Sequence, residues 1–207
     1  MFRYAVLGVA VAGAVPAPAH AQGKLGALTY SWSMPADQTK QYADNDSWLG
    51  LTVEGRAMQD RTSVGILLGW NSFYNRTSQT INLPQGAITG DQYRSLQIFP
   101  LLANAHLYFG ETRAPRMYVG VNAGAYYVHQ VLDIGLSSLT TDNWHFGVAP
   151  EVGFMIPKRG RFGAVSIINV RYHYPLEGGD YLGGQALTLP YWSISVGGGS
   201  IRGRRGY

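Results

Sequence analysis

Residues 48–57 read W-L-G-L-T-V-E-G-R-A, with Leu49, Leu51 and Val53 on one parity and Thr52, Glu54 and Arg56 on the other. A period of two marks a strand with one apolar and one polar face, because successive side chains leave a pleated strand on opposite sides. The same alternation runs, more loosely in places, through segments 25–34, 63–74, 92–109, 117–131, 144–156, 162–174 and 189–201. In 117–131, Val119, Val121, Ala123 and Ala125 oppose Gly120, Asn122, Gly124 and Tyr126; in 162–174, Ile168, Val170, Tyr172 and Tyr174 oppose Asn169, Arg171 and His173. Eight such segments predict an all-β chain closed into an eight-stranded antiparallel up-and-down barrel.

Two barrels of opposite polarity fit that count. A lipocalin-like soluble barrel turns its apolar parity inward and needs a charged exterior, whereas a transmembrane barrel turns the same parity to lipid. Composition separates them. Only 14% of residues are charged, against about 25% in an ordinary soluble domain. The parity opposite the apolar one is mostly glycine, serine, asparagine and histidine, a poor surface for water but a good filling for a narrow lumen. The barrel is therefore expected to span a membrane with its apolar parity outward. A helical membrane protein is excluded, since mean hydropathy is −0.07 and nothing beyond the leader nears the ~18 apolar residues of a spanning helix. With no cysteine there is no disulfide scaffold, no cysteine-ligated metal and no lipoprotein anchor.

The leader is the first of the domains read from the chain. Arg3, the apolar run from Ala5 to Val15 and Ala19-His20-Ala21 form the three-part pattern of a secretory signal peptide, giving a signal over 1–21, a barrel over 22–201 and a basic tail over 202–207. Connections after strands two, four and six are short (59–62, 110–116, 157–161), and those after one, three, five and seven are longer (35–47, 75–91, 132–143, 175–188). That alternation matches short periplasmic turns and longer external loops. Charge sorts the same way. The turns and tail collect Lys24, Arg61, Arg113, Arg116, Lys158, Arg159, Arg161, Arg202, Arg204 and Arg205 against Asp60 and Glu111, whereas the loops collect Asp37, Asp44, Asp46, Asp91, Asp133, Asp142, Glu177 and Asp180 against Lys40 and Arg76. The formal net charge of +4 thus hides a polarity along the barrel axis. The basic end is read as contacts to lipid phosphates and not as a nucleic-acid surface, despite a pI near 9.3. Aromatics such as Tyr30, Trp48, Tyr74, Trp144 and Trp192 near one set of strand ends, and Phe109, Met117, Phe154 and Phe162 near the other, are expected to form interfacial girdles.

The segments L-T-V-E-G-R (51–56), L-L-A-N-A-H-L-Y-F (101–109), Y-V-G-V-N-A-G-A-Y-Y (118–127), F-G-V-A-P-E-V-G-F (146–154), I-N-V-R-Y-H-Y (168–174) and W-S-I-S-V-G-G-G (192–199) resemble the small outer-membrane β-barrels of Gram-negative bacteria, the OmpA-like transmembrane domain and opacity-type porin group. The resemblance implies an outer-membrane location, lipid partners including lipopolysaccharide, handling by the barrel-assembly machinery during biogenesis, and a monomer without cofactor. It departs from the family at the end, where Gly197, Gly198, Gly199 and a basic segment precede Tyr207 in place of an apolar last strand.

The inward parity carries the candidate site. Glu54, Arg56, Glu151 and Arg171, with His106 and His173, are expected to form a charged network filling the lumen, because buried charges persist mainly when paired. The alternative is a low-conductance pore gated by exchange of those pairs. No catalytic or metal site is read. His173-Tyr-Pro175 has proline where a lipid-A-editing barrel would carry serine, His106 and His145 lack a serine at strand spacing, and Asp44-Asn-Asp46 lacks the glycine and distal glutamate of a calcium loop. The expected function is a structural envelope barrel and not an enzyme, its external loops available for adhesion, host or phage recognition.

Overall fold

The structure, a computed structural model, describes residues 23–83, 86–111, 114–134, 137–158, 163–176, 178 and 188–203. The expected signal peptide, the aromatic Tyr207 and most of loop 175–188 lie outside the described residues. Eight strands follow in order: β1 (Gly23–Pro35), β2 (Leu49–Met58), β3 (Thr62–Leu83), β4 (Gly86–Phe109), β5 (Arg116–Ile134), β6 (Ser137–Pro157), β7 (Ala164–Pro175) and β8 (Tyr191–Gly203). Each pairs antiparallel with its neighbours in sequence, and β1 closes on β8 from Gly23↔Gly203 to Pro35↔Tyr191. The expected closed up-and-down barrel is the observed fold, and closure leaves no sheet edge to expose.

Three boundaries differ from the sequence reading. Segments 75–91 and 132–143, expected as loops, are mostly strand: β3 and β4 run to Leu83↔Gly86, and β5 and β6 to Ile134↔Ser137. At 22 and 24 residues, β3 and β4 are about twice the 9–11 residues that cross a bilayer, so this hairpin projects beyond the barrel rim. Arg202 and Gly203, assigned to a tail, extend β8 and pair with Lys24 and Gly23. The loop after β1 contains a short helix, α1 (Asp37–Tyr42), folded over the barrel mouth. Its flank is tied down by Ala36 N–H to Pro190 O at 3.0 Å, and Gln38 Oε1 accepts from Thr188 N–H at 2.8 Å.

Parity decides which side chain goes where. Leu51, Val53, Leu101, Val121, Phe146, Val148, Phe154 and Val196 are exposed on the outer face, with Tyr30, Trp48, Tyr74, Trp144 and Trp192 toward the loop end and Phe109 and Met117 toward the turn end. The outer surface is thus an apolar band flanked by aromatic residues, the pattern of a lipid-facing barrel.

Candidate functional site

Inside, the lumen is filled in three tiers. At the loop end, Tyr42 and Ala43 from the α1 segment and Leu189 pack with Leu67, Phe73, Leu96, Ile98, Leu102, Tyr126, Val128 and Tyr191. At the turn end, Leu25, Met58, Tyr108, Tyr118, Met155, Val165 and Ile167 form a second apolar plug. The charged residues lie between these clusters, where little water can reach them.

Glu54 and Arg56 are two apart on β2 and so share the inward face. They make a two-pronged pair, Arg56 Nε to Glu54 Oε1 at 2.7 Å and Nη2 to Oε2 at 2.8 Å. Glu151 on β6 is the register partner of Arg171 on β7, whose Nε donates to Glu151 Oε2 at 2.7 Å. Arg56 Nη2 reaches Glu151 Oε1 at 3.3 Å and joins the two pairs. Amides complete the carboxylates: Asn104 Nδ2 donates to Glu54 at 2.6 Å and Asn122 Nδ2 to Glu151 at 3.0 Å. Arg56 also donates to the Tyr108 hydroxyl at 2.9 Å and stacks over the Tyr118 ring at 4.8 Å. The belt pairs the carboxylates Glu54 and Glu151 with the guanidiniums Arg56 and Arg171, and all four side chains are buried.

The two histidines take different places. His106 Nε2 lies 3.3 Å from Glu151 Oε1, at the edge of the belt. His173 sits above it, stacked on Tyr191 at 4.2 Å and bonded through its ring nitrogens to Tyr126 and Ser193, each at 3.2 Å. Serine neighbours not visible at strand spacing come from across the sheet: Ser63 Oγ is 3.3 Å from His106 Nδ1, and Ser193 serves His173. Both pairs are buried inside the barrel. His145 Nδ1 instead lies 2.9 Å from Leu176 O.

Rings fit into the lumen because glycine faces them. Gly120 is the cross-strand partner of His106, and Gly153 of Tyr118. A Cβ on Gly120 would lie 2.2 Å from His106 Cδ2, and one on Gly153 2.6 Å from Tyr118 Cζ. The tyrosines of both plugs were left out of the sequence-based site, although the alternation puts Tyr108 with His106, and Tyr126 with Asn122, on the inward parity. One assignment is reversed. Arg116, expected at lipid phosphates, is buried, stacks over Tyr108 at 4.5 Å and donates to Asp60 O at 3.2 Å. Its inward parity carries it under the lower plug.

No protein-family model matches the chain, and no curated protein matches it. Among solved structures, Ail, the attachment invasion locus protein of Yersinia pestis, in complex with the heparin analogue sucrose octasulfate, matches with a TM-score of 0.51 at 10% identity, covering 87% of this chain and 99% of that one. The chain has the fold of a small outer-membrane β-barrel. Neisserial surface protein A matches with a TM-score of 0.48 at 10% identity, covering 88% of this chain and 97% of that one. The N-terminal barrel domain of Pseudomonas aeruginosa OprF gives 0.46 at 12% identity, covering 87% and 97%.

Proposed function

We propose that the protein is a structural outer-membrane barrel of a Gram-negative envelope, monomeric and without catalytic role, that contributes to envelope integrity. One observation carries this reading: an apolar outer band surrounds a lumen plugged at both ends around paired charges. Such a body suits lipid, and among the described residues its lumen is occupied by side chains. Its partners on this reading are the surrounding lipids, lipopolysaccharide included, and the assembly machinery that inserts it. Membrane fractionation with a heat-shift gel tests it, since a folded barrel migrates differently before and after boiling. Recovery as a soluble periplasmic protein sinks it.

A second role is favoured by the β3–β4 and β5–β6 hairpins, which project past the rim on the acidic side. Long strand pairs present an extended surface of the kind that recognition of a host cell or phage uses, and Ail, which shares the fold, is an attachment invasion locus protein. Binding of host-cell matrix by the intact barrel, lost on deleting residues 78–91, supports it; equal binding by both removes it. The gated-pore reading needs the plugs to part. Planar-bilayer recordings are expected to be silent for the wild type and for Glu54→Ala, and discrete openings in either restore it.

A further inference from the structure

Near the turn end, the outer face of β7, β8, β1 and β2 differs from the rest of the apolar band. One row of strand partners reads Ala164, Ser200, Gly26 and Gly55. In the next row toward the loop end, Ser166 pairs with Gly198 before Leu28 and Val53 restore large side chains. A Cβ on Gly26 meets nothing within 4 Å, and one on Gly198 meets only Val165 O, at 3.3 Å. The outer surface here is a furrow floored by backbone, with the hydroxyls of Ser166 and Ser200 in it.

Cations rim the furrow. One row below, Lys24 is the direct strand partner of Arg202, and both are exposed. Lys158, also exposed, ends the first row, its backbone N–H bonded to Ala164 O at 2.9 Å. Like charges directly opposite on a sheet repel. Among the described residues, none of these cations is paired with a carboxylate. An anion held between them converts the repulsion into attraction.

We propose that this patch seats one phospholipid, its phosphate between Lys24, Arg202 and Lys158, its glycerol ester region against Ser166 and Ser200, and an acyl chain laid in the glycine furrow. The proposal rests on the outer face being in lipid. A second copy of the chain is disfavoured as occupant, because a twofold contact through this patch brings the same cations face to face. Free phosphate engages the cations but leaves the furrow bare.

Native mass spectrometry of the detergent-folded barrel tests this, with phosphatidylglycerol, the matching diacylglycerol and inorganic phosphate as probes. One retained phosphatidylglycerol is expected, with diacylglycerol and phosphate far weaker. Replacing Lys24 and Arg202 together with serine is expected to weaken retention by roughly thirtyfold, at about fivefold per cation. Gly26→Leu, which keeps the cations and has room for its side chain, is expected to weaken it too, whereas Ala123→Leu on another wall is not. Retention unchanged in both patch variants, phosphate held as well as the lipid, or a dimer in place of the adduct overturns the proposal. Each variant is first checked by heat shift. A wild type without the shift refutes the membrane reading itself, whereas a shifted barrel that holds no lipid refutes only the lipid seat.

Discussion

Glu151→Gln isolates the energetics of the luminal belt. The substitution keeps the shape and removes one negative charge from a site where two carboxylates balance two guanidiniums. Its consequences fall unequally. Arg56 keeps its two-pronged pair with Glu54, at 2.7 and 2.8 Å, and loses only a 3.3 Å contact. Arg171 loses the carboxylate that accepts from its Nε at 2.7 Å. Removing one partner of a buried pair leaves an uncompensated charge and costs about 3–5 kcal/mol. Arg171→Met is expected to cost a comparable amount or somewhat less, since Glu151 retains Asn122 at 3.0 Å and the longer contact to Arg56. The double variant removes both charges together, and replacing a buried pair by neutral groups is often close to neutral. The sum of the single costs should therefore exceed the cost of the double by about 2 kcal/mol or more. Urea unfolding of the barrel in lipid vesicles, followed by tryptophan fluorescence and by the heat-shifted gel band, measures all three. A Glu151→Gln cost below about 1 kcal/mol, or single costs that simply add, refutes the picture of a dry, coupled belt. Raising ionic strength should change these costs little, because buried pairs are weakly screened.

Three further outcomes follow from the same geometry. Gly120→Ala is expected to destabilise by about 1–3 kcal/mol through overpacking against His106, whereas Gly26→Ala, with open space at its Cβ, should leave the urea midpoint nearly unchanged. Val121→Arg on the outer face should cost about 2–4 kcal/mol in vesicles; a negligible cost means the outer face is not in lipid. On the projecting β5–β6 hairpin, hydrogen bonds from His129 and then Tyr127 hold the Asp142 carboxyl below the usual carboxylate range. Because the folded-state value is depressed, the stabilisation is present above the ordinary aspartate value and fades as pH falls through the folded one. Carboxyl NMR should show Asp142 titrating late on acidification, and in the His129→Ala protein its titration should move back toward the ordinary range.

Side-chain parity was legible because lipid and lumen impose opposite chemistry on alternate residues, which made the inward placement of Glu54, Arg56, Asn104, Glu151 and Arg171 readable from spacing alone. The strand ends were not. Past the rim neither lipid nor a filled lumen selects an apolar parity, so segments such as N-R-T-S-Q-T-I-N-L (75–83) look like loop, though Thr77, Thr80 and Ile81 favour strands. Helix α1, at 6 residues, is too short to form on propensity and depends on Tyr42 docking in the upper plug. The plugs themselves were hidden by consecutive apolar residues: Leu101 and Leu102 are neighbours in sequence, yet Leu101 is exposed on the outer face and Leu102 is fully buried in the lumen.

A plugged barrel raises the question of why its middle is charged at all, since an apolar filling of equal volume gives comparable stability. Register supplies an answer. A slip of one residue reverses every side chain and is forbidden by lipid, but a slip of two preserves parity and leaves the outer face nearly indifferent. Between β6 and β7 such a slip replaces Val152↔Val170 by Val152 opposite Ile168 or Tyr172, still apolar against apolar. The same slip moves Glu151 from Arg171 to Asn169 or His173 and separates a buried pair. Between β4 and β5 it takes His106 away from Gly120, whose missing side chain makes room for the ring, and sets it against Asn122 or Tyr118, which carry side chains on that face. The outer parity thus selects the side each residue faces, and the belt with its ring-facing glycines selects, among registers the lipid cannot distinguish, the one that closes the barrel.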